Sequence, residues 1–412
     1  MYAPRPILPS KIFDKAFFMK KIFGAFFLLW ALSMGPAAFA IQTGAEQLNS
    51  YLPLLQGKRV ALLINQTSRV GSENLLDVLR KNGVEVVRIF TPEHGFRGTA
   101  DAGAHVSSGK DPQTGLPVVS LYGNHKKPKA TDLKDVDLVI YDLQDVGVRF
   151  YTYISSLEYL MEACAENGKK LLILDRPNPN GFYVDGPLLQ PQYKSFVGMQ
   201  PIPVVYGMTA GEYAKMLQGE GWAKGCKALD MTVIPCKDYD HTMTYDLPVA
   251  PSPNLRTAAA VLLYPSLCFF EGTPVSVGRG TETPFQLWGH PSFQKAPAAG
   301  LISFTPKPTT GASAPPYNGQ TCYGYMPAKT AAEAKAFVGS RLRLQPLLTA
   351  YNLYGEKAQF YNSFFEKLAG TEDLRRFVNQ GLTEAQIWAK WDGEIAKFKK
   401  IRKKYLLYPD FE

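Results

Sequence analysis

From Arg59 to about Pro235, continuous apolar runs alternate with mixed segments. Short β-branched runs stand at Val60–Ile64, Val84–Phe90, Val118–Leu121, Leu138–Tyr141, Leu171–Leu174, Ile202–Val205 and Met231–Ile234. They are apolar throughout rather than at every second position, which is the pattern of strands covered on both faces. Between them, 73–81, 153–166 and 210–218 place apolar residues at helical spacing. Ser72 and Thr209 stand where they can cap the first and third of these helices, and Gly83 and Gly168 where they can end the first two. This alternation predicts an α/β fold, a Rossmann-like doubly wound parallel sheet over 41–245.

Around Tyr239–Pro253 the rhythm stops. Proline and glycine then punctuate the chain through Gly300, and the Pro/Gly-rich stretch 305–320 reads as a long surface loop. Helical spacing returns at Ala331–Arg341, Asn362–Ala369 and Thr383–Lys404, where six basic residues among 397–404 read as a solvated face. A second, smaller α+β auxiliary domain is expected over 246–412.

Residues 1–40 are set apart from both. From Met19 the chain reads Met-Lys-Lys, an apolar run from Ile22 to about Met34, and Ala38-Phe39-Ala40. That is the order of a secretory signal peptide, cleaved after Ala40. Ile41 offers no cysteine for lipid attachment, so no stable membrane anchor is expected after cleavage, and the mature protein is expected in the periplasm or secreted. Residues 1–40 carry five basic residues and one acid, so their removal lowers the formal charge from +9 to +5. Such mild basicity, without a nucleic-acid motif, gives no reason to expect a nucleic-acid partner. Five cysteines in 412 residues exclude a disulfide scaffold. Cys226 and Cys236 are near enough in sequence to pair, Cys164 sits on an apolar helix face, and no C-x-x-C suggests redox or zinc chemistry.

Open α/β sheets bind ligands beyond the carboxyl ends of their strands. Here five such exits are rich in polar chemistry: Asn65-Gln66-Thr67; Thr91-Pro92-Glu93-His94-Gly95; Asp142-Leu143-Gln144-Asp145 running on to Arg149, Tyr151 and Tyr153; Asp175 through Asn178 to Asn180; and Tyr206. No G-x-G-x-x-G follows the first strand and no G-x-x-x-x-G-K-[ST] occurs, which argues against a dinucleotide cofactor or nucleotide hydrolysis. No G-x-S-x-G elbow is present. The five histidines form no H-E-x-x-H, although Glu93, His94, Asp101 and His105 could be brought together around a metal. What remains is carboxylate chemistry in a cleft without metal or cofactor. Glycoside hydrolysis needs one carboxylic acid to protonate the leaving oxygen and usually a second carboxylate as base or nucleophile. Glu93 beside His94, kinked by Pro92 and freed by Gly95, suits the first role, and Asp142 or Asp145 the second.

At these residues the sequence resembles the exo-β-N-acetylmuramidases of the NamZ type. The resemblance is carried by Thr91–Gly98, Tyr141–Tyr153, Asp175–Asn180, Pro251–Leu255, Glu271–Thr281 and the tail Phe398–Tyr408, and it covers essentially all of 50–410. It implies a secreted or periplasmic enzyme of cell-wall recycling, with a Rossmann-like and an auxiliary domain and its site between them. The implied reaction removes terminal β-1,4-linked N-acetylmuramic acid from the non-reducing ends of peptidoglycan fragments, with Glu93 as the catalytic residue. On this view Arg149 or Arg279 clamps the lactyl carboxylate of muramic acid, because a planar guanidinium matches a carboxylate. Tyr151, Tyr153 and Tyr206 would stack on the sugar. Asn65, Asp175, Asn178, Asn254 and Glu271 would complete the substrate contacts. The competing readings are an exported sugar- or muropeptide-binding protein without catalysis, which turnover would distinguish, and a metal-dependent cell-wall amidase or esterase, which chelator sensitivity would distinguish.

Overall fold

The computed structural model describes residues 1–4, 40–97 and 108–412. Most of the expected leader, together with Asp101 and His105, therefore lies outside the described residues. Residues Gln42–Glu412 pack as one compact unit.

Six parallel strands make the main sheet: β1 (Arg59–Ile64), β2 (Glu85–Thr91), β3 (Pro117–Ser120), β4 (Leu138–Asp142), β5 (Lys170–Leu174) and β6 (Met231–Ile234). Their spatial order is 3-2-1-4-5-6, with a short antiparallel edge, Gly109–Lys110, beyond β3. This is the doubly wound order of the Rossmann fold. Alternate residues of each strand feed opposite cores. Leu62, Ile140 and Leu172 pack with α1 (Leu48–Leu55) and α2 (Leu75–Lys81). Leu63, Tyr141 and Ile173 pack with α3 (Tyr153–Glu166) and α4 (Ala210–Glu220). Burial on both faces is why β1, β4 and β5 read as unbroken apolar runs.

Ile202–Val205 does not join this sheet. Pro203 removes an N–H donor from that run and Pro201 removes the one just before it, which disfavours a central strand. The segment instead makes isolated bridges from Val205 to Val148 and to Asp185. Its apolarity reflects burial under loops. The helix expected from Glu73 begins at Leu75, because Glu73–Asn74 pairs with Arg69–Val70 as a small antiparallel ladder. Asn74 rather than Ser72 caps it, its Oδ1 accepting from the Leu76 N–H at 3.0 Å. Thr209 caps α4 as expected, with Glu212 returning the bond to the Thr209 N–H at 2.9 Å.

The later part of the chain carries its own antiparallel sheet. Within it, β9 (Cys322–Tyr325) lies between β7 (Trp288–His290) and β8 (Ile302–Phe304). Helix α5 (Ala258–Leu267) sits in the stretch that reads as loop-rich. It is apolar all round and buried, so it shows no helical period, and Thr257 caps it. The 305–320 stretch is not simply a surface loop: Gly311, Ala312 and Pro315 are buried. Helix α6 (Glu384–Arg402) ends among exposed lysines, Lys397 and Lys400 within it and Lys403 and Lys404 just beyond, but Arg402 is buried, donating to the Gly207 carbonyl and pairing with Asp410. All five cysteines are buried free thiols, so Cys226 and Cys236 do not pair. No helix among the described residues is long and apolar enough to cross a membrane.

Arg149 ties the two parts of the chain together. It is fully buried and donates to four carbonyls, those of Pro187 (2.8 Å), Ile202 (2.7 Å), Leu368 (2.9 Å) and Ala369 (2.7 Å). Burial lowers its guanidinium to about 9. Arg149→Met would strip this donor from the buried Pro187, Leu368 and Ala369 carbonyls, while Ile202 keeps the Leu189 N–H, at a cost on the order of 3–5 kcal/mol. Urea unfolding checks this, and a loss below about 1 kcal/mol would contradict the role.

Candidate active site

A cleft of about 790 Å³ opens at the exits of β2, β3 and β4 and is closed from the other side by the later part of the chain. Glu93 stands on its wall. The turn after β2 puts it there: Pro92 ends the strand, and the Gly95 N–H returns to the Pro92 carbonyl at 3.1 Å. His94 (φ 70°) and Gly95 (φ 75°) are both left-handed. His94 is buried there and has a side chain to strain, a cost that surrounding structure must hold in place. The Glu93 carboxylate receives one hydroxyl on each oxygen, from Tyr122 on Oε1 (2.9 Å) and from Thr152 on Oε2 (2.9 Å). Tyr122 follows β3, and Thr152 precedes α3 after β4. Three strand exits thus converge on one carboxylate.

Of the residues expected at the site, Glu93, His94, Tyr151, Asn254, Glu271 and Arg279 line this cleft. Glu271 and Arg279 face each other, with both Nε (2.7 Å) and Nη2 (2.6 Å) of the arginine on Glu271 Oε1. Burial opposes the Arg279 charge, but Glu271 outweighs it and holds the guanidinium above its usual value. Asn254 donates to the Gly311 carbonyl at 2.7 Å, tying the cleft floor to the Pro/Gly loop. Tyr151 lines the cleft while its hydroxyl donates to the Pro251 carbonyl at 2.8 Å.

The others fall elsewhere. Asp142 is fully buried against Arg176, with Nε on Oδ1 at 2.5 Å and Nη2 on Oδ2 at 2.9 Å. Asp145 is buried too; its Oδ2 accepts from the Gly147 N–H at 2.6 Å and from the Tyr206 hydroxyl. Neither is on the cleft wall, and the carboxylate that joins Glu93 there among the described residues is Glu271. Tyr206 is buried beneath with Asp145 and presents no face for stacking. Tyr153 accepts from Asn65 Nδ2 at 2.8 Å and donates to the Pro251 carbonyl at 3.2 Å. Asn65 also receives the Thr67 N–H and hydroxyl, so protein hydrogen bonds fill the exit of β1. Asp175 accepts from Thr209, Gly211 and Tyr408, joining α4 to the C-terminal tail. Asn178 bridges to the Met208 carbonyl and the Asn180 N–H. Arg149 is occupied by carbonyls, as above, and cannot receive a substrate carboxylate.

Sequence reasoning misses Tyr122, Lys126, Thr152, Phe196 and the 311–316 wall, all of which line the cleft. Tyr122 is recoverable, because Tyr122-Gly123-Asn124 is a polar strand exit like the others. The loop wall carries no such signal. No group of three His, Cys, Asp or Glu among the described residues could hold a metal, and the combination of Glu93 and His94 with Asp101 and His105 extends outside them.

The class is an α/β glycosidase built in two parts. Family models for exo-β-N-acetylmuramidase NamZ match at residues 60–259 for its N-terminal part and 262–408 for its C-terminal part, and the chain belongs to this family. It is 38% identical over 384 residues to peptidoglycan β-N-acetylmuramidase NamZ of Bacillus subtilis (strain 168), covering 89% of this chain and 91% of that one. Two crystal structures of DUF1343 family proteins from Bacteroides fragilis NCTC 9343 share the fold. One has a TM-score of 0.82 at 46% identity, covering 90% of this chain and 99% of its own. The other has a TM-score of 0.73 at 28% identity, covering 89% and 99%.

The position of Asp145 generates a pH-dependence. Burial raises its carboxyl to about 6 from an ordinary 3.8, against the opposing pull of Tyr206 and the Gly147 and Val146 N–H groups. The folded protein therefore holds a proton that the unfolded chain has already released. The stability this proton contributes is complete below about pH 4 and is lost as pH rises through about 6. Relative to Asp145→Asn, the wild type should lose on the order of 3 kcal/mol between pH 4 and pH 7. Paired urea titrations at both pH values measure this, and a difference independent of pH would contradict it.

Proposed function

We propose that this protein is an exported exo-acting peptidoglycan β-N-acetylmuramidase that removes terminal β-1,4-linked N-acetylmuramic acid from non-reducing ends, with Glu93 as general acid. The activity follows the family and the relative's. The observation that carries the assignment of Glu93 is its environment: a half-buried carboxylate on a cleft wall, held on both oxygens by hydroxyls at 2.9 Å. Hydroxyls fix the carboxylate in place without neutralising it, and they can reverse their hydrogen bonds when it gains a proton. Such a group can hand a proton to the departing glycosidic oxygen and recover it afterwards. His94, held beside it in a strained turn, fixes its approach. Glu271, held by the Arg279 guanidinium, is the partner carboxylate in this reading.

The test is a chromogenic β-N-acetylmuraminide beside the matching β-N-acetylglucosaminide. Release from the first and not the second supports the proposal, and no release from either overturns it. In the same assay Glu93→Gln should lower kcat by about 10²–10⁴-fold, because the amide keeps the shape but has no proton to give. A folded variant with near-wild-type kcat would remove Glu93 from the mechanism.

Export rests on residues 19–40, whose order of charge, apolar run and Ala-x-Ala is that of a cleaved leader. Intact mass of the exported protein should place its first residue at Ile41. A retained leader would contradict this.

A further inference from the structure

Among the described residues, two cationic side chains line the cleft, Arg279 and Lys126. Arg279 has its Nε and Nη2 on Glu271 and its guanidinium over the Phe285 ring at 5.1 Å. An incoming carboxylate would have to displace Glu271 or lie against it. Lys126 is differently placed. Its neighbours in sequence have carboxylates of their own: His125 meets Asp132 at 3.2 Å, and Lys127 meets Glu162 at 2.9 Å and Glu166 at 2.7 Å. Lys126 pairs with no carboxylate among the described residues. It turns to the cleft, where its Nζ stands over the Phe196 ring at 4.9 Å.

That ring is held from two sides. Tyr159 stacks on it at 6.1 Å with 12° between the planes, and Tyr122 leans on it at 6.1 Å. The Tyr122 hydroxyl is the one bound to Glu93. One tyrosine therefore joins the proposed acid to the platform beneath the ammonium, so the two groups belong to one continuous wall. An aromatic face restrains an ammonium without cancelling its charge. An ammonium also accepts a carboxylate as a point charge, with no need for a bidentate approach. Muramic acid differs from glucosamine by one lactyl ether, and so by one carboxylate.

We infer that Lys126, held over Phe196, is the specificity-determining residue that receives the lactyl carboxylate of the substrate, in place of Arg149 or Arg279. This rests on the muramidase reading above, and the experiment keeps the two apart. Wild type, Lys126→Met and Lys126→Arg are assayed on 4-nitrophenyl β-N-acetylmuraminide and on the same glycoside with its lactyl carboxyl blocked as the methylamide. Loss of a charge-assisted contact should cut kcat/KM of Lys126→Met on the free acid by about 10- to 100-fold, chiefly through KM. The methylamide should be cleaved equally by wild type and Lys126→Met, and Lys126→Arg should recover most of the loss on the free acid. Equal losses on both substrates, or no loss on either, would overturn the assignment of Lys126 while leaving the activity standing. A wild type that cleaves neither substrate would overturn the activity and this assignment with it.

Discussion

The buried guanidinium of Arg149 is the interaction on which the cleft depends. It follows β4 and lies three residues before Thr152, which holds Glu93. Its four carbonyl partners come from Pro187 and Ile202 on one side and from Leu368 and Ala369 on the other. Taking a charge out of water without an anion is costly, and the acceptors gathered on both terminal nitrogens, Nη1 and Nη2, offset that cost. The need to satisfy this one group therefore fixes how closely the Leu368–Gly370 turn approaches the Rossmann-like part. Gly370 shows how close that is: a Cβ there would meet Arg149 Nη2 at 2.6 Å, and its φ is 76°.

The same logic runs through the whole Asp142–Tyr153 segment. Asp142 is spent on Arg176, Asp145 on Tyr206 and the Gly147 N–H, and Tyr153 on Asn65 and Pro251. Gly147 lies so close to Asn178 that a Cβ would overlap its side chain at 2.1 Å. A run rich in acids, an arginine and tyrosines looks like an active site. Most of it is scaffolding that holds three consecutive residues, Phe150, Tyr151 and Thr152, at the cleft. The Rossmann-like switch point between β1 and β4 is likewise filled by the protein's own hydrogen bonds. The cleft is displaced toward β2 and β3, whose exits bring Glu93 and Tyr122 to its wall.

Charge in the cleft is divided to match. Glu93 is held by hydroxyls, Glu271 by a guanidinium, and Lys126 by an aromatic face. These are three different restraints: hydroxyls that can give or accept a hydrogen bond, an ion pair, and an aromatic face that leaves an ammonium's charge uncancelled. On the opposite wall the Pro/Gly loop is fixed rather than loose, with Asn254 and Arg256 bonded to the Gly311 and Thr310 carbonyls. The Tyr317 hydroxyl bonds the Pro274 carbonyl at 2.6 Å.

Local pattern was enough for what depends on local physics. Apolar runs marked six strands, of which β1, β4 and β5 are buried on both faces, helical spacing marked α3 over its full length, and Thr209 marked the start of α4. The polar strand exits pointed to Glu93. The rest was settled only by packing. Helix α5 is buried all round and so has no period to read, and the prolines that keep Ile202–Val205 out of the sheet are outweighed in sequence by its apolar residues. Asp142, Asp145 and Glu271 are alike as letters; whether a carboxylate meets a buried arginine, a buried tyrosine or an open cleft depends on chain segments far away in sequence. Arg149 and Lys126 differ in the same way. Burial made the arginine a strut, and an aromatic shelf left the lysine facing the groove, because desolvation and partner geometry are properties of the folded surroundings and not of the residue.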